Sequence, residues 1–330
     1  MKNSLITKLA VCFVAILFLA GCKKEKEEVK PKKTTQSDQT GSAAADEGIE
    51  NVNDFVNNKV GNGTTKTARI SGRVEEYQLP CGVVSVDSTL NNQTGKWEYK
   101  MKYGDKNKCT YTKKGGEIVF GLESGTSFNQ VGAVYKVTFI NYTVQADATG
   151  EIVTVNGTVR VTNVKGGYAW EVVLDNSKTV EHKVRGSLNI TYSNNESRVK
   201  NYFQYRTWSN SSAGWPGLTF EVDGDSINGA IRISETGKTL DGNHDYYNQV
   251  ITPLKWNNCG STWAGPYKLK FGNVKMNISV PNVVAYAQVE AGYKFDPATA
   301  TGSLVNDCSS DSYKLTFVYG STTITKYQLY

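Results

Sequence analysis

Beyond residue 66 the sequence predicts an all-β fold, either an antiparallel β-sandwich or a large curved antiparallel sheet. Three observations carry that expectation. From Ala68 onward no segment sustains a 3.6-residue periodicity, whereas two-residue alternation recurs throughout. One strand pattern appears four times, as "YKMKY" at Tyr99–Tyr103, "YKVTF" at Tyr135–Phe139, "YKLKF" at Tyr267–Phe271 and "YKLTF" at Tyr313–Phe317. Each places aromatic and aliphatic side chains on one face and Lys or Thr on the other, as a half-buried strand requires. Turn-forming clusters such as "KKGGE", "DATGE", "VKGGY", "DGDSING" and "ETGKTLDGN" separate the alternating runs.

The stretch ahead of this region is of a different kind. Lys2 and Lys8 precede an unbroken apolar run from Leu9 to Ala20, 12 residues long. That suits the core of a signal peptide and is too short to span a bilayer, which takes about 20 residues. Leu19-Ala20-Gly21-Cys22 follows and resembles a bacterial lipoprotein lipobox. The resemblance implies removal of residues 1–21 and acylation of Cys22, with several acyl chains giving a durable anchor. Lys23 in place of Asp after the cysteine argues against retention in the inner membrane. Glu25, Glu27 and Glu28 mildly resemble acidic export signals, which favours the cell surface over the periplasmic face.

Residues 22–66 read as the lipidated cysteine and a flexible linker, charged at first and then rich in Thr, Gln, Ser, Gly, Ala and Asn. Such a composition buries too little apolar surface to offset its ordering entropy. As coil it would span roughly 35–40 Å. Within it "IENVNDFVNNKV" has weak helical character. The β-region then runs as one large domain or as two, 67–194 and 195–330, divided in "TYSNNES". A transmembrane barrel is not expected, because the alternate faces of the terminal "TKYQLY" offer no apolar side. Net charge is +6 for the whole chain, spread without a motif, so no nucleic-acid partner is indicated.

Of six cysteines, Cys12 leaves with the signal and Cys22 carries lipid. Cys81, Cys109, Cys259 and Cys308 remain, and an even count in an oxidising compartment points to disulfides. Locality favours Cys81–Cys109 and Cys259–Cys308 among the three possible pairings. Zinc is not expected, since the two histidines, His182 and His244, lack ligand spacing and no C-x₂-C occurs.

The one stretch with catalytic overtones is "VDGDSINGA" followed by "DGNHD". Gly224-Asp225-Ser226-Ile227 resembles the nucleophile block of GDSL-type esterases, and Asp241-x-x-His244 their Asp-x-x-His element. That likeness implies Ser226 as nucleophile, His244 as base and Asp241 as its orienter. The two elements stand only 15 residues apart with no βαβ alternation around them, so a non-catalytic protein is expected and the serine hydrolase is the lesser alternative. The same loops hold Asp223, Asp225, Asn243 and Asp245. Ile227 and Ser234, then Tyr246 and Thr252, break the EF-hand pattern, leaving at most an irregular calcium loop. No metal and no cofactor is expected.

Aromatics give a stronger binding signal. Trp208, Trp215, Trp256 and Trp263 crowd together with Tyr246 and Tyr247. Trp215 and Trp263 sit in turns, where rings suit stacking on sugars, while Trp208 and Trp256 fit strands. Finally, "CGVVSVD…WEYKMKYGDKNKCTYTKKGGEIVFGL…GAVYKVTFINYTV" and "YRTW…LTFEVDGDSINGAIRISETGKTL…VITPLKW…C" resemble a family of uncharacterised Bacteroidota lipoproteins. The resemblance implies an outer-membrane, lipid-anchored, all-β protein and carries no activity with it. The expectation is an envelope component or binding protein, with glycan binding as its chief alternative.

Overall fold

The computed structural model describes residues 33–57, 79–104, 112–145, 150–193, 195–212, 214–227, 231–238, 243–260 and 267–329. One antiparallel sheet of fifteen strands dominates. Its strands are β1 (Val83–Asn91), β2 (Lys96–Tyr103), β3 (Thr112–Ser124), β4 (Val134–Gln145), β5 (Ile152–Asn163), β6 (Thr179–Tyr192), β7 (Ser197–Asn210) and β8 (Leu218–Ile227). Then come β9 (Ile231–Lys238), β10 (Asp245–Asn258), β11 (Tyr267–Val280), β12 (Val283–Asp296), β13 (Thr301–Leu304), β14 (Ser312–Tyr319) and β15 (Thr322–Leu329). Helix α1 (Lys33–Phe55) precedes the sheet, and a single turn, α2 (Glu171–Leu174), lies between β5 and β6. Neighbours in sequence are neighbours in space, with β13 a side branch on β12, so the sheet is a meander of hairpins.

The large curved antiparallel sheet expected from alternation is therefore what forms. In β5, Val153, Val155, Val159 and Val161 are buried, while Thr154, Thr158, Arg160 and Thr162 take the other face. In β6 the outward row reads Glu181, Lys183, Arg185, Ser187, Asn189 and Thr191. The inward face is apolar along β2 to β5 and turns polar at β7, where Arg198, Lys200, Gln204 and Arg206 are all buried.

That polar stretch is matched by α1. Ala45, Ile49, Val52 and Val56 recur at helical spacing and pack, with Ala44 and Phe55, into the core formed by the inward faces of β1 to β7. A second stripe, Asp46, Glu50, Asn53 and Asn57, is buried too. Lys200 Nζ donates to Asp46 at 2.9 Å, and Arg206 donates to Glu50 and, at 3.4 Å, to Asp46. The Tyr135 hydroxyl donates to Asn53, and the Ala169 N–H to Asn57 at 2.9 Å. Only a sheet that curls round the helix can bury both stripes at once. Each large apolar side chain of α1 contributes roughly 1.5–3 kcal/mol by burial. That offsets the desolvation of the four charges, whose mutual attraction alone does little more than compensate it.

Two sequence expectations are corrected here. The segment 22–66 is not wholly a flexible linker, because Lys33–Phe55 is helical and residues 44–57 lie inside the sheet. Its polar composition looked unable to support a core because the partners of its carboxylates stand some 150 residues further on. The division at 194/195 also fails as a domain boundary. β6 and β7 pair without a break from Thr179↔Ser209 to Thr191↔Ser197, directly across it.

One irregularity interrupts the meander. β8 pairs with β7 through Leu218–Gly224, and β9 takes over the same position beside β7 at Glu235–Gly237. β10 pairs with both in the same order. Between these stretches, Asp225–Ile227 pair with Ile231–Ile233, of which only Ile233 also pairs with β10, at Gln249, so the two segments form a finger that leaves the sheet. Gly224 marks the departure: a Cβ there would stand 2.7 Å from the backbone of Ile233.

Candidate functional site

The two ends of the sheet differ. At one end lie the tight turns 281–282 and 320–321, with the connections 104–111, 146–151, 193–196 and 239–244. At the other end lie the longer connections 125–133, 164–178, 211–217 and 297–311. Helix α1 runs from the turn end to the loop end. Asp46 meets Lys200 near the start of β7, while Phe55 packs on Tyr99 and Phe120 and Asn57 reaches Ala169 in the loop 164–178.

The loop end is held by specific bonds. Asn163, the last residue of β5, donates from Nδ2 to the carbonyls of Phe128 (3.1 Å) and Gly167 (3.0 Å), and accepts from the Gly166 N–H at 2.8 Å. The Gly167 N–H donates to Asn129 O at 2.8 Å, so the loops 125–133 and 164–178 are locked together. Cys259, just past β10, is bonded to Cys308 across the loop end, with a Cα–Cα distance of 5.8 Å. The expected pairing of these two cysteines therefore stands. Cys81 is disulfide-bonded as well, and its partner is neither of these two. Cys22, Cys109, Trp263 and Asp241 lie outside the described residues.

The remaining candidate residues fall in different places. Trp208 and Trp256 are buried in β7 and β10, at 4% and 0% exposure, with Phe220 between their rings. Trp215 begins a 3-10 turn at the loop end and is half-buried against that same core. Ser226 is exposed on the finger, opposite Arg232. His244 lies at the other end of β9, whose Lys238 faces Asp245. The six residue steps from Arg232 to Lys238 span roughly 20 Å at strand spacing, so Ser226 and His244 do not meet. His244 Nδ1 instead lies 3.2 Å from the carbonyl of Ser279.

The finger borders an open groove of about 470 Å³ on the convex face, lined by Glu181, Tyr205, Glu221, Asp223, Asp225 and Arg232 among others. Its charges are engaged. Arg232 holds Asp223 at 2.7 Å, Lys183 and Arg185 hold Asp225, and Lys255 holds Glu221 at 3.0 Å. Among the described residues no group of three or more His, Cys, Asp or Glu could hold a metal ion.

Inside the sheet, burial sets the protonation of several groups. Desolvation, then the neighbouring Glu50, pushes the Asp54 carboxyl up to about 7. Desolvation, then the Arg206 charge, pushes His182 down to about 3, so its imidazole stays neutral. Burial also raises Glu50, against the pull of Arg206. Of these groups, Glu50 ties α1 to β7 through Arg206.

Sequence reasoning missed a different aromatic group at the loop end. Trp97 stands directly opposite Leu90 beside the β1–β2 turn, with 53% and 44% of their surfaces exposed. The signal was present in "TGKWEYK", where Trp97 continues the inward-facing row of Tyr99 and Met101 past the point where core covers it. Comparison of the chain with protein-family models, with curated proteins and with solved structures found no match.

Proposed function

We propose that this chain is a lipid-anchored, non-catalytic component of the outer membrane that binds a ligand at the loop end of its sheet. The anchor is the acylated Cys22 of the lipobox-like sequence, and the likeness to Bacteroidota lipoproteins points the same way. The observation that carries the reading is the course of α1. Only residues 23–32 separate Cys22 from the helix, a reach of at most about 35 Å even when fully extended. The helix enters at the turn end, so the anchored protein stands with its turns towards the membrane and its longer, cross-linked loops away from it. Loops fixed in advance by Asn163 and by the Cys259–Cys308 bridge lose less entropy when a ligand binds. The separation of Ser226 from His244 favours binding over serine hydrolysis.

The test is lipid labelling in the native host. The whole chain should incorporate a fatty-acid probe and pellet with outer membranes, and Cys22→Ser should abolish both while leaving the β-sheet signature of the protein intact. A Cys22→Ser protein that still takes up label overturns the anchor. Accessibility to protease added outside intact cells then decides between the cell surface, which the acidic residues after Cys22 favour, and the periplasmic face.

A further inference from the structure

We infer that the convex face of the sheet beside the loop end binds an acidic polysaccharide along a row of cations, Lys136, Arg160 and Arg185, on three adjacent strands. The inference deepens the binding reading above by naming the ligand class and the side chains that take it. Lys136 of β4 stands directly opposite Arg160 of β5, and Arg160 directly opposite Arg185 of β6. Like charges so placed destabilise a sheet, and here two such pairs follow one another. β4, β5 and β6 are each paired on both sides, so the row is no guard against edge-to-edge association. Neutralisation within the protein is incomplete. Arg160 holds Glu123 through two bonds of 2.6 and 3.0 Å, and Lys183 and Arg185 share Asp225. The Glu123 carboxyl is held below its usual range, first by the hydrogen bond from Arg160 and then by the charges of Arg160, Lys136 and Lys96. Lys136 itself makes no hydrogen bond or ion pair among the described residues. Glu98 stands in the same row beyond Gly121, which has no side chain to offer. Five described cations, Lys96 and Lys183 included, thus share three carboxylates along this row.

The surroundings decide the kind of anion. Two residues along each strand, on the same face, runs an uncharged row in which Thr138, Thr158, Ser187 and Asn201 stand successively opposite one another. At the β7 end the cations meet rings, with Arg185 over Phe203 at 5.1 Å and Lys183 over Tyr205 at 5.3 Å. A guanidinium grips a carboxylate in bidentate fashion, hydroxyl and amide side chains exchange hydrogen bonds with sugar hydroxyls, and rings take the apolar faces of sugars. A chain that carries acid groups and hydroxyls together uses all three, whereas an acidic peptide leaves the hydroxyl row idle. Neighbouring strands lie about 4.8 Å apart, so a chain with closely spaced acid groups meets the row by crossing the strands. An anionic membrane fits less well, because in the orientation proposed above the loop end faces away from the anchor.

Isothermal titration calorimetry on the whole chain with Cys22→Ser tests the inference. Polygalacturonate, alginate and hyaluronate are the acidic probes, with dextran, polyglutamate and phosphatidylglycerol vesicles for comparison. At least one acidic polysaccharide should bind, and less tightly as salt is raised. Lys136→Gln, which breaks no ion pair, should weaken that binding about threefold, and Lys136→Glu about tenfold. Lys326→Gln, the same loss of charge at an exposed position on β15, should leave it unchanged. Circular dichroism checks that each variant keeps its fold. Binding of no acidic polysaccharide, equal binding by Lys136→Gln, or equal weakening by Lys326→Gln overturns the inference. So does Lys136-dependent binding of polyglutamate or of vesicles that matches the polysaccharide, which would make the row a contact for acidic peptides or for a membrane. Dextran bound alike by the parent and by Lys136→Glu, with every acidic probe unbound, overturns this ligand while the binding reading stands. Lipid labelling at Cys22 is read apart from both.

Discussion

Gly48 offers a single substitution that separates three pictures of the N-terminal segment. It lies within α1 where the helix crosses β3 and β4, and a Cβ added there would stand 2.8 Å from Cζ of Phe139 and 3.0 Å from Cδ1 of Ile118. In a helix exposed to water, Gly→Ala stabilises by about 1 kcal/mol. In a flexible linker it leaves stability close to unchanged. Inside the sheet the added methyl must displace a buried aromatic ring, and overpacking of that kind costs about 1–3 kcal/mol. Packing outweighs propensity, so Gly48→Ala should lower stability by about 1–2 kcal/mol, or roughly 2–4 °C in Tm. Urea unfolding followed by far-UV circular dichroism reads the change. Shrinking the ring supplies a second check: with Phe139→Leu, the double variant should lose less than the two single losses combined, by about 0.5 kcal/mol or more. A Gly48→Ala protein more stable than the parent would refute the enclosed helix, and one of equal stability would restore the linker.

Three further outcomes are expected. Arg206→Met keeps most of the side-chain volume but strands Glu50 and Asp46 without their guanidinium, and should cost about 3–5 kcal/mol in urea unfolding, part of which Glu50→Gln restores. Removing the staple with Cys259→Ser and Cys308→Ser should cost about 4 kcal/mol for a sequence separation of 49, with the loss absent when the parent is measured under reducing conditions. The third concerns pH. Folded Asp54 keeps its proton up to about pH 7 and the unfolded chain releases it near 4, so its contribution to stability falls as pH rises between these values. Folded His182 stays neutral down to about pH 3 while the unfolded imidazole protonates below 6.5, so its contribution rises with pH across that window. From pH 4 to 6.5 the two slopes, each about 1.4 kcal/mol per pH unit, oppose each other. Asp54→Asn should therefore uncover a rise in stability with pH, and His182→Gln a fall; parallel profiles in all three proteins would count against both assignments.

What could be read from the chain followed the range of the interactions. Strands such as Tyr135–Phe139 and Tyr313–Phe317 announce themselves because alternation is local and each pairs with its neighbour in sequence. The helix did not, although Ala45, Ile49, Val52 and Val56 already mark one face of it. Its other face is written in Asp, Glu and Asn, which look like solvated linker until Lys200 and Arg206 are brought alongside from β7. In the finger, the likeness to a catalytic block lay in residue types alone. Gly224 serves the close approach to Ile233, and Asp225 forms ion pairs with Lys183 and Arg185. For the aromatic residues, sequence crowding drew attention to Trp208 and Trp256, which fill core. Exposure at Trp97 depends on where the covering layer of core stops, a property of the assembled sheet.

The enclosed helix also fixes an order of events. α1 lies ahead of every described strand, so it is made before the sheet that will hold it. Its ion-pair partners lie 154 residues later for the Asp46–Lys200 contact and 156 for Glu50–Arg206. The strands, by contrast, close as successive hairpins over short loops, the fast kind of contact. A chain emerging from its N-terminus therefore cannot seat the helix until β7 has followed it. During that interval Ile49, Val52, Phe55 and Val56 are uncovered, which leaves the nascent N-terminal segment open to non-native apolar contacts.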